Sequence, residues 1–446
     1  MKNTDSVRPL TMRERLRSLI AVVCGNYLEW FDWTMYVIFT PYIAATFFDP
    51  NDRASAVLAT LAVFAVAFAA RPLGGLLLGR LADRKGRKTA LVVAMLMMAF
   101  GSLAIAILPG YDTLGTAASV ILFLVRVSQG IAHGGESASA YTYLAEIAPK
   151  DRRGLWGSSI MMTVTLGVIS ATGLGALMTS MLSKEQMGTW GWRVPFILGA
   201  LLAALALWIR RSARESEVFE GEGGKSTTQR VITRRQVTII SVRLIALGVL
   251  TQVLYYTWVS YYAAYAINTK GMEAKGAYLA SLGAQFIALI VLPFMGYLSD
   301  RIGRRRSYVI WSLAVIAVVF PTSAMLTAAP MSLFVAQTLC LIVWAIQASI
   351  HSTVMAEQAP TEIRATSVGV FSSVAAALTG GTAPYLNTWL TGMGLQWVFS
   401  AYIILLAVIT LIAVKFMPET AGLGMDEVPL PGEPYLEKPI KAAVAH

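Results

Sequence analysis

The sequence predicts an all-α membrane protein: twelve transmembrane helices in two pseudo-symmetric six-helix halves. Composition comes first. Of 446 residues, 56% are hydrophobic and 14% charged, with a mean hydropathy of +0.62, whereas a soluble chain is nearer a quarter charged. Spans come second. Apolar runs of about 20 residues, enough to cross ~30 Å of hydrocarbon, recur at 19–46, 56–79, 89–108, 117–147, 156–180, 192–209, 237–267, 277–298, 307–328, 331–356, 366–391 and 395–416. Third is a repeat. Gly79-Arg80-Leu81-Ala82-Asp83-Arg84-Lys85-Gly86-Arg87-Lys88 returns as Gly296-Tyr297-Leu298-Ser299-Asp300-Arg301-Ile302-Gly303-Arg304-Arg305, between the second and third runs and again between the eighth and ninth. The short alternating segments of a β-barrel are not in the pattern.

A second echo confirms the duplication. Ala145-Glu146-Ile147-Ala148-Pro149 with Arg153 matches Ala356-Glu357-Gln358-Ala359-Pro360 with Arg364. The halves are therefore 1–209 and 237–417. A charged linker at 210–236 joins them, with Arg210, Arg211, Arg214 and Glu215 ahead of a Gly-Glu-Gly-Gly run. Residues 418–446 read as a short, Pro-interrupted cytoplasmic tail without heptads.

The net charge of +11 is placed asymmetrically. With both termini inside, roughly 28 Lys and Arg fall in cytoplasmic segments and about 5 outside. That charge orients the chain and meets anionic lipid, so nucleic acid is not an expected partner. The basic stretch Arg8, Arg13, Arg15 and Arg17 leads into an apolar run too long for a cleaved signal, so the first helix is expected to stay. Cys24 and Cys340 lie inside spans, which excludes a disulfide framework or zinc site. Three histidines and two cysteines supply no nucleophile–base pair or metal cluster. An enzyme is thus disfavoured, no cofactor is expected, and the sequence offers no soluble signalling domain for a sensor.

Ionisable residues at bilayer depth are costly and mark function. The first helix carries Glu29 and Asp32 on one face. Counted at the helical rise, Asp32 lies ~20 Å from the inner end and Arg126 of the fourth helix ~14 Å from the outer end, so they can meet. Arg71 of the second helix offers a planar fork for a carboxylate, or a structural role near the hairpin; both stay open. Arg126, Gln129, His133 and Glu136 form one stripe of the fourth helix, beside a small-residue stripe of Gly130, Gly134 and Ala138 that permits close helix approach. His133 either shapes substrate choice, titrates near neutral pH, or is bonded between helices. In the seventh helix Tyr255, Tyr256 and Trp258 lie deep enough to face a cavity, with Gln285 a further candidate in the eighth.

In the hairpin, Asp83 ends one helix, Gly86 allows the turn, and Arg84, Arg87 and Lys88 follow, after the small Gly79. Such charges suit a two-state cytoplasmic gate together with Glu146, Arg153, Asp300 and Arg304. Asp83 with Arg153, or Glu146 with Arg84, are the pairings the spacing suggests. The near-glycine pair Gly380-Gly381 and Pro384 predict a kink in the eleventh helix.

The segment 79–88 resembles the signature loop of the major facilitator superfamily. Gly25-Asn26-Tyr27-Leu28-Glu29-Trp30-Phe31-Asp32, Arg71-Pro72-Leu73-Gly74-Gly75, Gln129-Gly130 through Gly134-Gly135-Glu136, and Trp190-Gly191-Trp192-Arg193-Val194-Pro195-Phe196 narrow the resemblance to its metabolite:proton symporter family of bacterial inner membranes. The resemblance implies proton coupling through an acid of the first helix and an arginine of the fourth, here Asp32 and Arg126 with Glu29 as second carboxylate. It implies a monomeric carrier of small organic anions. Residues 108–116 and 268–272 look most like α-ketoglutarate permeases, whereas 380–384 and 388–390 look more like citrate carriers. Carriers of zwitterionic osmolytes such as betaine or proline, and of aromatic acids such as shikimate or phthalate, are the alternatives.

Overall fold

The computed structural model describes residues 11–49, 53–211, 232–380, 382–425 and 427–433, and every regular element among them is helical. Ten helices are long and apolar enough to cross a membrane among the described residues. Helices α1 (Met12–Ile38) and α2 (Arg53–Lys85), of 27 and 33 residues, complete the twelve. The others are α3 (Arg87–Ile107), α4 (Thr116–Ile147), α5 (Arg153–Met181), α6 (Val194–Arg211), α7 (Arg234–Ile267), α8 (Ala274–Ile302), α9 (Arg304–Met325), α10 (Pro330–Glu357), α11 (Thr361–Gly392) and α12 (Gln396–Lys415).

Several boundaries depart from the hydropathy reading, each for a local reason. α1 begins earlier, because Thr11 and Glu14 form a capping box. It also ends earlier. Pro41 lacks an amide hydrogen, so the run to residue 46 breaks into α1 and a separate short helix, Thr40–Phe47. α7 starts on a second capping box, Thr233 with Gln236, and turns π-helical over Tyr255–Tyr261. Just ahead of the kink expected in α11, the backbone turns π-helical over Ala376–Gly380. The linker reading at 212–231 falls outside the described residues.

The repeated hairpins match in backbone. Gly86 and Gly303 both stand at φ 98°, a region where glycine avoids the penalty other residues incur. The small-residue stripe of α4 packs as expected: a Cβ on Gly130 would lie 2.1 Å from the Ala67 carbonyl oxygen, and one on Gly134 2.0 Å from that of Arg71. Gly134→Ala is therefore expected to force α2 and α4 apart, costing about 1–3 kcal/mol or more. A lower midpoint of thermal unfolding in detergent would register it; an unchanged midpoint would contradict the packing.

Contacts divide the chain into two compact units. The first contains the chain up to Ile147, α5 and α6 from Thr163 onward, and Ala365–Val370 at the start of α11. The second contains Ala148–Met162, at the start of α5, with the rest of the second half. In the first unit Phe31, Tyr36, Phe47, Trp192 and Phe196 share one core. Arg193 fastens the end of α3 there by donating to the carbonyls of Ala106 and Leu108 at 2.7 and 2.9 Å.

Candidate functional site

Within the first unit, α1 and α4 bring together Glu29, Asp32, Arg126, Gln129, His133 and Glu136, all buried. The contact that helix geometry allowed is present: Arg126 Nη1 stands 3.9 Å from Asp32 Oδ2. The hydrogen bonds, however, run through an amide. Arg126 Nη1 donates to Gln129 Oε1 at 2.8 Å, and Gln129 Nε2 donates to Asp32 Oδ2 at 3.2 Å and to Ser102 Oγ at 3.3 Å. Ser102, on α3, donates in turn to Asp32 Oδ1. A neutral dipole thus stands between the cation and the carboxylate.

His133 Nδ1 meets the Glu29 carboxylate. Its ring packs beside Trp30 and Trp33 at 5.5 and 5.4 Å. The structure therefore places His133 in an interhelical contact between α4 and α1. Glu29, Asp32, Ser102 and Glu136 line a cavity of about 10 Å³ together with Gly199 of α6, roughly the room one water needs.

Arg71 joins the same neighbourhood through aromatic faces. Its guanidinium lies 3.6 Å from the Phe68 ring centroid and 4.5 Å from that of Trp33. Arg126 lies 4.5 Å from the same Trp33 centroid and 4.0 Å from Tyr36. Two buried guanidiniums share one indole, an arrangement stabilised by the ring quadrupole. Two cations held this close in apolar surroundings favour an anion.

The hairpin carboxylates grip helix starts. Asp83 accepts from the backbone amides of Ala365 and Thr366 at 3.1 and 2.9 Å and from the Thr366 hydroxyl at 2.7 Å. Asp300 accepts from the amides of Gly154 and Leu155 at 2.7 and 2.8 Å. The register is the same in both: the two residues after Arg364 and after Arg153. Anions are favoured there by unpaired amides and the helix dipole.

The side-chain pairs differ from those the spacing suggested. Glu146 pairs with Arg87 at 3.0 Å, not with Arg84. Asp83 has Arg87 at 3.9 Å, and Arg153 pairs with Glu357 at 3.0 Å. Arg84 is turned about 100° from Asp83 on α2 and is exposed, whereas Arg87 opens α3 beyond the turn at Gly86, which brings its buried guanidinium back toward both Asp83 and Glu146. Lys88 is half-buried at the start of α3. Gly79 sits where a Cβ would come within 2.8 Å of Thr366 Cα.

Arg304 completes the second copy, bonding Asp300 at 2.9 Å and Glu357 at 3.3 Å. The start of the tail is built into this cluster. Glu419 accepts from the amides of Arg304 and Arg305 at 2.8 and 3.0 Å, and Thr420 donates to Glu357 at 2.6 Å. The Leu423 and Met425 carbonyls receive Arg153 and Arg364 at 3.2 and 2.9 Å. Sequence reasoning missed these residues because the Leu423 and Met425 carbonyls leave no mark in composition, and because Glu419 and Thr420 stand in a tail far along the chain from their partners.

The second unit holds the remaining candidates. Tyr255 meets Tyr256 edge-on at 5.1 Å and Trp344 at 6.1 Å. The Trp258 carbonyl, inside the π-helical stretch, receives Gln337 Nε2 at 2.8 Å. Gln285 donates to Ser281 on its own helix at 3.3 Å. Gln337 precedes Glu357 by the same spacing as Arg126 precedes Glu146, so an amide stands in α10 where α4 has a cation. Ser102, Trp33, Tyr36 and Phe68 are neighbours of the candidate residues that the sequence did not single out. Ser102, a polar residue deep in an apolar helix, was the one detectable signal.

Residues 22–290 match a family model described as Major Facilitator Superfamily, and 217–430 one described as Sugar (and other) transporter. The chain is 36% identical to the alpha-ketoglutarate permease of Escherichia coli (strain K12), over 93% of this chain and 96% of that protein. It is 31% identical to a putative proline/betaine transporter of Staphylococcus aureus (strain COL), over 94% and 92%. The proton:xylose symporter XylE bound to 6-bromo-6-deoxy-D-glucose shares the fold, with a TM-score of 0.76 at 18% identity over 94% of this chain and 99% of that one.

Proposed function

Since the chain belongs to the major facilitator superfamily and is a multi-pass transporter rather than an enzyme, we propose that it is a proton-coupled symporter of small organic acid anions. α-Ketoglutarate leads the candidates, with other di- and tricarboxylates behind it. The observation that carries this reading is the buried set Asp32, Gln129 and Arg126, with Arg71 beside it. A 3.9 Å separation makes a poor strut, because a buried ion pair offsets its desolvation only with close geometry. It suits a carboxylate whose charge changes during transport.

The proposed cycle uses that change. A proton binds Asp32, which frees Arg126 to grip a substrate carboxylate alongside Arg71. The halves then rock, and substrate and proton leave on the other side. Substrate binding is assigned to Gln129, Glu136 and His133 in the first half and to Tyr255, Tyr256, Trp258 and Gln285 in the second. The hairpin set, with Gly79, Asp83, Arg84, Gly86, Arg87 and Lys88 in one copy and Asp300 and Arg304 in the other, forms and releases with Glu146 and Arg153 as the gate. The likeness to a permease of Escherichia coli supports a bacterial inner membrane, and the charge asymmetry supports cytoplasmic termini.

Uptake of labelled carboxylates into proteoliposomes under an imposed pH gradient tests the proposal. Competition by α-ketoglutarate but not by betaine is expected. The likeness to proline/betaine transporters supplies the second reading, and competition by betaine or proline alone would establish that one instead. Arg71→Gln is expected to raise the KM for a dicarboxylate at least about tenfold, the effect of losing one charge-assisted carboxylate contact. An unchanged KM would return Arg71 to a structural role.

A further inference from the structure

We infer that Ser102 is a positioning residue whose hydroxyl follows the protonation state of Asp32, accepting from the acid and donating to the carboxylate. The inference rests on the proton-coupled reading above and deepens it. A serine hydroxyl has one hydrogen and two lone pairs. Ser102 Oγ stands within bonding reach of three groups: Asp32 Oδ1, the Met98 carbonyl at 3.1 Å and Gln129 Nε2 at 3.3 Å. One hydrogen cannot serve both Asp32 and Met98, so the site has two hydrogen-bond arrangements on one set of heavy atoms.

With Asp32 ionised, the Ser102 hydrogen points to Oδ1 and Gln129 supplies Oδ2. With a proton on Oδ1, Asp32 donates to Ser102 Oγ and the serine hydrogen swings to the Met98 carbonyl. Gln129 continues to donate in both. The proton arrives on hydronium, whose O–H bond breaks to leave water as one O–H bond forms on Asp32, and the only other change is rotation of a hydroxyl. No side chain must move, so the acid is taken up without reorganising a packed interior.

The surroundings leave this task to Ser102. Charged and titratable groups facing Asp32 are Glu29 and Tyr36 on α1, Arg71 on α2, and Arg126, His133 and Glu136 on α4. α6 contributes only Gly199 and Ala203 to the cavity wall. His133 is engaged with Glu29, and Arg126 reaches the Oδ2 side.

The test compares Ser102→Ala and Ser102→Thr in proteoliposomes, reading both substrate exchange at equal pH and proton-driven uptake across a pH series. The alanine variant is expected to keep exchange and its KM within about twofold, while driven uptake at neutral pH falls about tenfold. Its pH midpoint is expected to move alkaline by about one unit, because the lost donor served the charged form more strongly. Threonine, which keeps the hydroxyl, restores both. Exchange and driven uptake falling together with an unmoved midpoint would overturn the assignment, as would an alanine variant that behaves as wild type. If alanine fails to fold, threonine decides: an unmoved wild-type profile supports the hydroxyl's role, and a defective one overturns it. Wild-type uptake indifferent to a pH gradient would instead sink the coupled reading itself.

Discussion

Asp32→Asn is expected to equilibrate substrate and not to accumulate it. If one proton accompanies each substrate, a gradient of about one pH unit drives roughly tenfold accumulation in wild type. The variant should settle at a ratio near one. Exchange should survive, because asparagine fills the same volume and still bonds Gln129 and Ser102. The opposite result, tenfold accumulation retained, would show that Asp32 and Arg126 are a fixed pair and that coupling lies elsewhere. Folding should be affected less than by loss of a closely bonded ion pair, since the 3.9 Å contact is loose and Arg126 keeps its bond to Gln129.

Glu357→Gln should do the reverse, harming the fold before the coupling. Glu357 is fully buried and takes Arg153 at 3.0 Å, Arg304 at 3.3 Å and the Thr420 hydroxyl at 2.6 Å. Glutamine offers one oxygen and no charge, leaving two buried guanidiniums short of a counter-ion. Breaking a buried pair from one side costs about 3–5 kcal/mol, and more than one cation is involved here. Thermal unfolding in detergent should fall by roughly 5–10 °C. A midpoint within a degree of wild type would mean that Asp300 and Glu419 carry the cluster without it. The two variants thus separate a carboxylate kept for changing its charge from one kept for holding it.

Much of this was readable beforehand, and the reasons are physical. Span positions follow from hydropathy, which fails only where local chemistry intervenes, as at Pro41 and the Thr11 cap. The close α2–α4 approach followed from Gly130 and Gly134. Rise per residue allowed the Asp32–Arg126 contact, and the family resemblance implied it. Partners that are backbone groups were not readable: Asp83 and Asp300 bind amides, and the tail binds through carbonyls. No side-chain pattern announces those. Gln129 was seen as a stripe residue, but its place between Asp32 and Arg126 depends on rotamers. The π-helical Tyr255–Tyr261 is equally silent, since its aromatic composition fits an ordinary helix.

The shared register of the two aspartate grips has a consequence for what can be exchanged. Each carboxylate holds the amides of the two residues after an arginine, and main-chain amides are alike whatever side chain they carry. The openings of α5 and α11 are in this respect interchangeable parts. A chimera carrying Arg-Ala-Thr in place of Arg153, Gly154 and Leu155 would preserve every backbone bond to Asp300. Its limit would be bulk, because a Cβ at position 154 would stand 2.6 Å from the Gly296 carbonyl oxygen. Duplication left two sockets with the same main-chain grip, and crowding at Gly154 is what restricts the one on Asp300 to a segment with glycine in that place.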